Sequence, residues 1–521
     1  MSAPGNAGGE VRPLSRRGFF KGAAVLASAA PALAWAGEAE AAPARPWHIP
    51  ATQAPDVPLH DLELWQAADL IRRRELSPVE LAEAMLARND AVEPRIGTYA
   101  NRYPADEVMA QARAAEEEIS RGRYRGPLHG IPVGLKDIYL TKGKVTEGNS
   151  KLYTGFVPSF DGTAVVRLKE AGAVILGKAG TSELATANGW PAKNPWDFER
   201  AAGGSSTGSA TGVAASQFMV GMGTCTGGSI RGPAANCGVT GFKPTYGTIS
   251  AYGVFPLAWS MDHPGPLVHS ARDAALVMDV VAGEDPMDPN TRKIARYRMA
   301  EALVWGPRSN ALEGVTVGVP ADDDYFMGVP NDEQLAAFAE AANVLRSLGA
   351  TMTTVRTKML LPGLTSVSSF YDIIRSAEVG AYQHHNLRTQ PQNMSAAYLS
   401  RVSSGVLMPG NAYMQAQRVR RLWRDQLLTV FNDVDVMIHP ADDIAGKPDD
   451  PPPSRRSSGG KTNMWNLTGA PAAAIPTGFS RAERMPLSMQ VVSRPGRDEK
   501  VLMVADAFQQ VTDHHKKRPA L

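Results

Sequence analysis

Between Ala202 and Pro233 the chain carries two runs rich in glycine and hydroxyl side chains, and any fold must accommodate backbone conformations there that larger residues resist. The first run, Ala202-Gly203-Gly204-Ser205-Ser206-Thr207-Gly208-Ser209-Ala210-Thr211-Gly212, opens a small-residue helix through Ala215. As a flexible linker it would divide two domains, yet structured segments flank it. As a phosphate cradle it lacks both the GxxxxGK[ST] pattern and the GxGxxG spacing after a strand. Gly204 to Gly208 matches the GxSxG nucleophile elbow, with Ser206 as nucleophile. That elbow follows a hydrophobic strand, however, and Pro195-Trp196-Asp197-Phe198-Glu199-Arg200 does not form one. A catalytic loop is the reading that remains.

The second run, Phe218-Met219-Val220-Gly221-Met222-Gly223-Thr224-Cys225-Thr226-Gly227-Gly228-Ser229, takes an apolar strand into a glycine pair and then a serine. Glycines there let consecutive backbone N–H groups converge on one point, as an oxyanion requires. A tight turn with a hydrogen-bonded serine would look the same. Lys136 lies within the apolar strand Gly130-Ile131-Pro132-Val133-Gly134-Leu135-Lys136-Asp137-Ile138. A strand lysine is ordinarily a solvated edge residue, but a buried one loses its proton near neutral pH and becomes a base. A serine nucleophile needs such a base.

Around these runs, buried strands alternate with helices. Ser77-Pro78-Val79-Glu80 is a capping box with proline at the first helical position, and Ala105 to Ser120 is a helix rich in alanine and glutamate. A helix over Thr163 to Ala171 leads to the apolar run Ala173 to Gly177. Leu312 to Pro320, Met352 to Leu361 and Val434 to His439 read as further strands, and Asn331 to Leu348 as a helix. The pattern is that of an α/β sheet buried on both faces. Glu284 to Arg308 reads as a surface excursion, and Ala441 to Lys461, with its proline and serine/glycine tract, as a long exposed loop.

With 54 Lys+Arg against 52 Asp+Glu, the net charge of +2 supplies no field for nucleic acid, so a small neutral partner fits better. The two cysteines, Cys225 and Cys237, read as free thiols or as one disulfide, and no Cys/His cluster or HExxH spacing offers a metal site. No cofactor or metal is therefore expected. His384–His385 and His514–His515 read as surface pairs.

At the N-terminus, Ser15-Arg16-Arg17-Gly18-Phe19-Phe20-Lys21 precedes an uncharged stretch from Gly22 to Gly37, which reads as a twin-arginine signal. The stretch is too short, too alanine-rich and too interrupted, by Pro31, for a stable membrane span. Cleavage after Ala36 would make residues 1–36 the signal peptide, 37–58 a linker or surface arm, and 59–521 the enzyme. The twin-arginine machinery would be a partner during export, and the mature protein would be periplasmic or secreted.

Four segments together resemble the amidase signature family, the Ser-cisSer-Lys hydrolases: GIPVGLKD (Gly130–Asp137), GGSSTGSA (Gly203–Ala210), TGGSIRGPAANCGVTGFKPTYG (Thr226–Gly247) and NLTGAPAAAIPTG (Asn466–Gly478). The resemblance runs from about Leu59 to near the C-terminus. It implies one large α/β domain with a mixed β-sheet sandwiched between α-helices, and no cofactor. It assigns Ser229 as the acylated nucleophile, Ser205 as the proton relay following a cis peptide, and Lys136 as the base. Thr226, Gly227 and Gly228, with the Ser229 amide, would form the oxyanion hole, and Ser206 would be a supporting hydroxyl. Where many relatives have an acid, this chain has Cys225, so Arg231 needs another partner, from substrate or a backbone carbonyl.

The implied activity is hydrolysis of a small-molecule amide. Carbamate or ester hydrolysis is the alternative within the family, and a non-catalytic binding relative the alternative outside enzymes. The latter would have lost Lys136, Ser205 or Ser229, and all three are present. A cytosolic component of an amidotransferase conflicts with the export signal, and a homodimer is left open. Substrate choice would fall to Leu361 to Arg421 and the loops around Leu184, where Phe370, Tyr371, Tyr382, Tyr398, Met408 and Tyr413 suggest an apolar or aromatic group unless they are core residues.

Overall fold

In the computed structural model, strands that read as unbroken apolar runs are buried along their whole length, as expected where helices cover both faces of a sheet. The structure describes residues 49–521 apart from 54, 188, 292–297, 322–330, 358–366, 442–443 and 448–459. The signal peptide and most of the arm lie outside the described residues. Of the arm, Ile49 is buried and the Thr52 N–H donates to Asp69 Oδ2 at 2.7 Å, so this part lies against the first long helix, Leu64–Arg72.

The strands are β1 (Tyr99–Arg102), β2 (Pro132–Lys136), β3 (Val174–Ala179), β4 (Val220–Cys225), β5 (Thr240–Lys243), β6 (His263–Val268), β7 (Thr316–Pro320), β8 (Thr351–Val355), β9 (Val436–Pro440), β10 (Ala472–Phe479) and β11 (Pro486–Val492). They form one eleven-stranded sheet in the order β1-β3-β2-β4-β6-β5-β10-β11-β9-β7-β8. β2 runs parallel to β3 and β4, and β7 parallel to β8 and β9; the remaining pairs are antiparallel, so the sheet is mixed. Alternation of side chains along the strands divides the core. Ile438, Ala473 and Val491 join the larger cluster, whereas Met437, Ala472 and Val492 join a second one around Trp423 and Trp465. The described residues form one unit, the single large α/β domain that the motifs implied.

Local signals hold where the sequence was explicit. Ser77 accepts hydrogen bonds from Val79 N and Glu80 N at the start of the helix Pro78–Ile96, with Pro78 first in the helix. Ala105–Ser120, Thr163–Glu170 and Asp332–Ser347 are helices. Three readings change. The excursion after Glu284 returns to the core through Met299, Ala300 and Leu303, because the buried Asp279 accepts the N–H groups of Met299 and Ala300. The described part of the 441–461 segment is not simply an exposed loop: Ala441 and Ala445 are buried, and a helix begins at Gly460. His515 is buried 3.3 Å from Glu63, whereas His384 and His385 are exposed. No helix among the described residues is long and apolar enough to cross a membrane.

Candidate active site

Lys136 ends β2 and is completely buried, between β3 and β4. The next residue fixes the strand end: the Asp137 N–H donates to Ala179 O, and its carboxylate accepts from Glu147 N and Gly148 N while facing Lys178 at 3.4 Å. Burial without a paired carboxylate pulls the Lys136 amine down to about 7, although Cys225 and Asp262 oppose this by favouring its charged form.

Three hydroxyls surround the amine. Lys136 Nζ lies 2.7 Å from Ser205 Oγ, 3.0 Å from Ser206 Oγ and 2.9 Å from Thr224 Oγ1. Ser206 donates its proton to the Thr224 carbonyl at 3.1 Å and accepts the Thr224 N–H at 3.2 Å. Its hydroxyl can therefore only accept from Lys136. A neutral amine has two protons and one lone pair, which three hydroxyl contacts satisfy when one hydroxyl, Ser205 or Thr224, donates to it.

The Gly204–Ser205 peptide bond is cis, and Ser206 precedes the helix Thr207–Ala214. The Ser206 N–H donates to the carbonyl of Ser229 at 3.2 Å, which ties the Ser205 segment to the Ser229 loop through the main chain. Ser229 is half-buried, and its hydroxyl makes no hydrogen bond to Ser205 or to any other described residue. The structure thus brings Lys136, Ser205 and Ser206 into direct contact and places Ser229 beside them by its backbone.

The loop before Ser229 is held open by its glycines. Gly228 has φ +141°, and a Cβ there would meet Thr462 Oγ1 at 2.3 Å. Thr462 Oγ1 donates to Gly227 O at 2.7 Å, and the Tyr371 hydroxyl packs where a Gly227 side chain would sit. Among the described residues, the N–H groups of Gly227, Gly228 and Ser229 meet no acceptor. Three successive free donors on a half-buried turn suit a developing oxyanion.

Behind the loop, Arg231 is fully buried and its partners are neutral. It donates to Gln490 Oε1 at 2.7 Å, Asn466 Oδ1 at 2.6 Å and the Thr462 carbonyl at 2.7 Å, and lies 3.6 Å from Cys225 Sγ. Burial disfavours the Cys225 thiolate, but Arg231 and Lys243 more than offset it and hold the thiol below its ordinary range. Both cysteines are buried free thiols. Among the described residues, no group of three or more His, Cys, Asp or Glu side chains converges as a metal site.

A cavity of about 250 Å³ opens beside this cluster. Thr224, Thr226 and Asp262 line it together with Tyr246, Phe255 and Trp259. Its carboxylates are already engaged: Asp262 accepts from Thr226 Oγ1, Leu257 N and Ala258 N, and Asp288 from Ala251 N and Asn290. Of the expected recognition segments, Ala185 beside Leu184 lines this cavity, and the described part of Leu361 to Arg421 lies outside its lining. Phe370 packs on Trp423, Tyr398 is in the core, Tyr413 donates to Glu378, and Tyr371 meets the turn at Gly227. Thr224, Thr462 and Asp262 were not foreseen. A polar threonine next to the end of the apolar strand Val220–Cys225 was the one local signal for Thr224.

The family model "Amidase" matches residues 80–502. The A component of the glutamyl-tRNA(Gln) amidotransferase of Geobacter metallireducens is 35% identical over 498 residues, covering 89% of this chain and all of that relative. Among solved structures, a chain of the vestigial protein complex connected with the origins of an s-triazine catabolic enzyme superposes with a TM-score of 0.78 at 30% identity, covering 86% of this chain and 98% of the other. The native peptide amidase of Stenotrophomonas maltophilia gives 0.75 at 26%, covering 88% and 98%.

Proposed function

This chain belongs to the amidase family, and from that premise we propose that it hydrolyses the carbon–nitrogen bond of a small neutral amide through an acyl-enzyme on Ser229. The observation that carries the reading is the buried Lys136 amine within hydrogen-bonding distance of Ser205, beside a turn of unengaged amides ending at Ser229. Neutral Lys136 takes the Ser205 proton as Ser205 takes that of Ser229, whose oxygen attacks the carbonyl carbon. The oxyanion forms against the amides of the Thr226–Ser229 turn. When the C–N bond breaks, Ser205 protonates the departing nitrogen and regains a proton from Lys136. Water then releases the acyl group by the same relay. The missing Ser205–Ser229 side-chain contact belongs to the substrate-bound state, since catalytic hydrogen bonds commonly tighten only there.

The cavity beside Thr224 and Thr226 supports an apolar or aromatic substituent on that amide, because Ile249, Phe255, Leu257 and Trp259 line it and its carboxylates are engaged in internal hydrogen bonds. Carbamates and esters place a carbonyl at the same point and are the alternative substrates. Incubating the purified protein with aryl, aliphatic and peptide amides, and locating the trapped acyl group by mass spectrometry, tests the proposal. Label on Ser206, or on no residue, rejects it.

A second reading is supported by the curated relatives: one component of a multi-subunit amidotransferase, releasing ammonia from an amide for a partner. The same residues would serve. Turnover by the isolated chain favours the hydrolase, and turnover only with partner proteins favours the amidotransferase. The Arg16-Arg17 segment supports export of a stand-alone enzyme by the twin-arginine machinery. A reporter fused to residues 1–42 tests this; retention in the cytosol with both arginines intact overturns it.

A further inference from the structure

We propose that Asp262 is a positioning residue of this site, which fixes the Thr226–Ser229 turn to the wall of the apolar cavity; the proposal rests on the amide-hydrolysing reading above. Asp262 immediately precedes β6, whose first residue, His263, pairs with Cys225 at the end of β4. The antiparallel ladder therefore sets residues 262 and 226 opposite each other just beyond the strand ends. Asp262 Oδ1 accepts the Thr226 hydroxyl proton at 2.5 Å, and Oδ2 accepts the N–H groups of Leu257 at 2.9 Å and Ala258 at 3.0 Å. One carboxylate thus binds the first residue of the turn and the segment that carries Leu257 and Trp259 on the cavity wall.

The tether is not redundant. Thr462 holds the turn at the Gly227 carbonyl and Ser206 holds it at the Ser229 carbonyl, whereas Asp262 holds the Thr226 side chain. A carboxylate suits the position because three donors converge on it and it only accepts.

Its charge has a second consequence. Asp262 and Cys225 are the groups that favour the protonated form of Lys136. Facing Asp262 from the packed elements are Lys136 at the end of β2, Glu378 of the helix Val367–Thr389, and Tyr246; Arg420 of the helix Gly410–Leu427 bonds Ser260 nearby. Removing the carboxylate charge should free Lys136 to lose its proton at lower pH.

The test compares Asp262→Asn, Thr226→Val, the double variant and Thr226→Ser in kcat, KM and pH profile on an amide the wild type turns over, with hydrogen exchange read at Gly227, Gly228 and Ser229. Asp262→Asn removes the charge and leaves one acceptor oxygen for three donors, which loosens the tether. It should lower kcat about ten- to a hundredfold with KM little changed, and move the acid limb of kcat/KM to lower pH. Thr226→Val should lower kcat and leave that limb in place, Thr226→Ser should restore kcat, and the double variant should cost less than the product of the single losses. Wild-type kcat and pH profile in Asp262→Asn, or multiplicative losses in the double variant, overturn the proposal. Hydrogen exchange separates it from the functional reading. Faster exchange in Thr226→Val without any amide turnover by the wild type rejects the hydrolase and upholds the tether, whereas unchanged exchange with normal turnover rejects the tether alone.

Discussion

Lys136 Nζ and Ser205 Oγ stand 2.7 Å apart although 69 residues of chain separate them. The contact exists because β2 and β4 are parallel neighbours, with Val133, Gly134 and Leu135 opposite Val220, Gly221 and Met222, so that the end of β2 meets the hydroxyl groups around Thr224. Lys136→Ala and Lys136→Arg should both reduce kcat by about a thousandfold or more on any accepted amide, a loss of about 4 kcal/mol in barrier lowering. Arginine is included because its guanidinium stays charged and cannot take a proton. Steady-state kinetics with an intact circular dichroism spectrum checks this.

The amine must be neutral to act, and burial holds it at about 7. The rate should therefore rise as pH increases through about 7, rather than near the ordinary lysine value of 10.5. Cys225→Asp should move this limb to higher pH, since a carboxylate beside Lys136 favours the ammonium. A pH series of kcat/KM for the two proteins decides it.

The same burial affects stability. Unfolded, Lys136 keeps its proton up to about pH 10.4; folded, it has lost it above about 7. Between these values the unfolded chain binds more protons, so this residue makes the fold more stable as pH rises and less stable as pH falls. Lys136→Met should flatten that rise, so its Tm should gain on the wild type most at and below neutral pH. Thermal melts from pH 6 to pH 10 on both proteins measure the difference.

Arg231 should be a fold residue before it is a chemical one. Arg231→Met leaves Asn466 Oδ1, Gln490 Oε1 and the Thr462 carbonyl without the donor they share. The expected cost is about 3 kcal/mol, from buried acceptors left unpaired, and it appears as a lower urea midpoint with an unchanged slope.

These residues differ in how visible they were in the chain. Lys136, Ser205, Ser206 and Ser229 stand in short runs whose composition is unusual in itself, and β2, β3 and β4 are mostly apolar and buried over their whole length, so their burial could be read locally. Thr226 with Asp262 and Arg231 with Gln490 are different, because the first pair is made by strand order and register and the second by the packing of the helix Arg231–Cys237 against β11. Periodicity reports which face a residue occupies, not which distant residue it will meet. The aromatic residues between Phe370 and Tyr413 were open to two readings for a related reason: a helix presents the same spacing to a core as to a cavity, and Phe370 packs on Trp423 while Tyr371 meets Gly227.

Gly228 offers the sharpest test of whether the turn's shape, apart from its side chains, supports turnover. Its φ of +141° is one that residues with a Cβ rarely adopt, and a methyl group there would stand 2.3 Å from Thr462 Oγ1. Thr462 cannot simply withdraw, because the same oxygen donates to the Gly227 carbonyl. Gly228→Ala should therefore shift the three amides together and cost about a hundredfold or more in kcat, the scale set by losing one oxyanion donor. If the amides act on the transition state, KM should hardly change, since ground-state binding falls to the cavity around Phe255 and Trp259. Gly228→Ala combined with Thr462→Ala, which removes the oxygen that the new methyl group would meet, should recover little, because the backbone conformation remains unfavourable. Full recovery of kcat in that pair would mean that the clash alone, and not the conformation of the turn, limits the reaction.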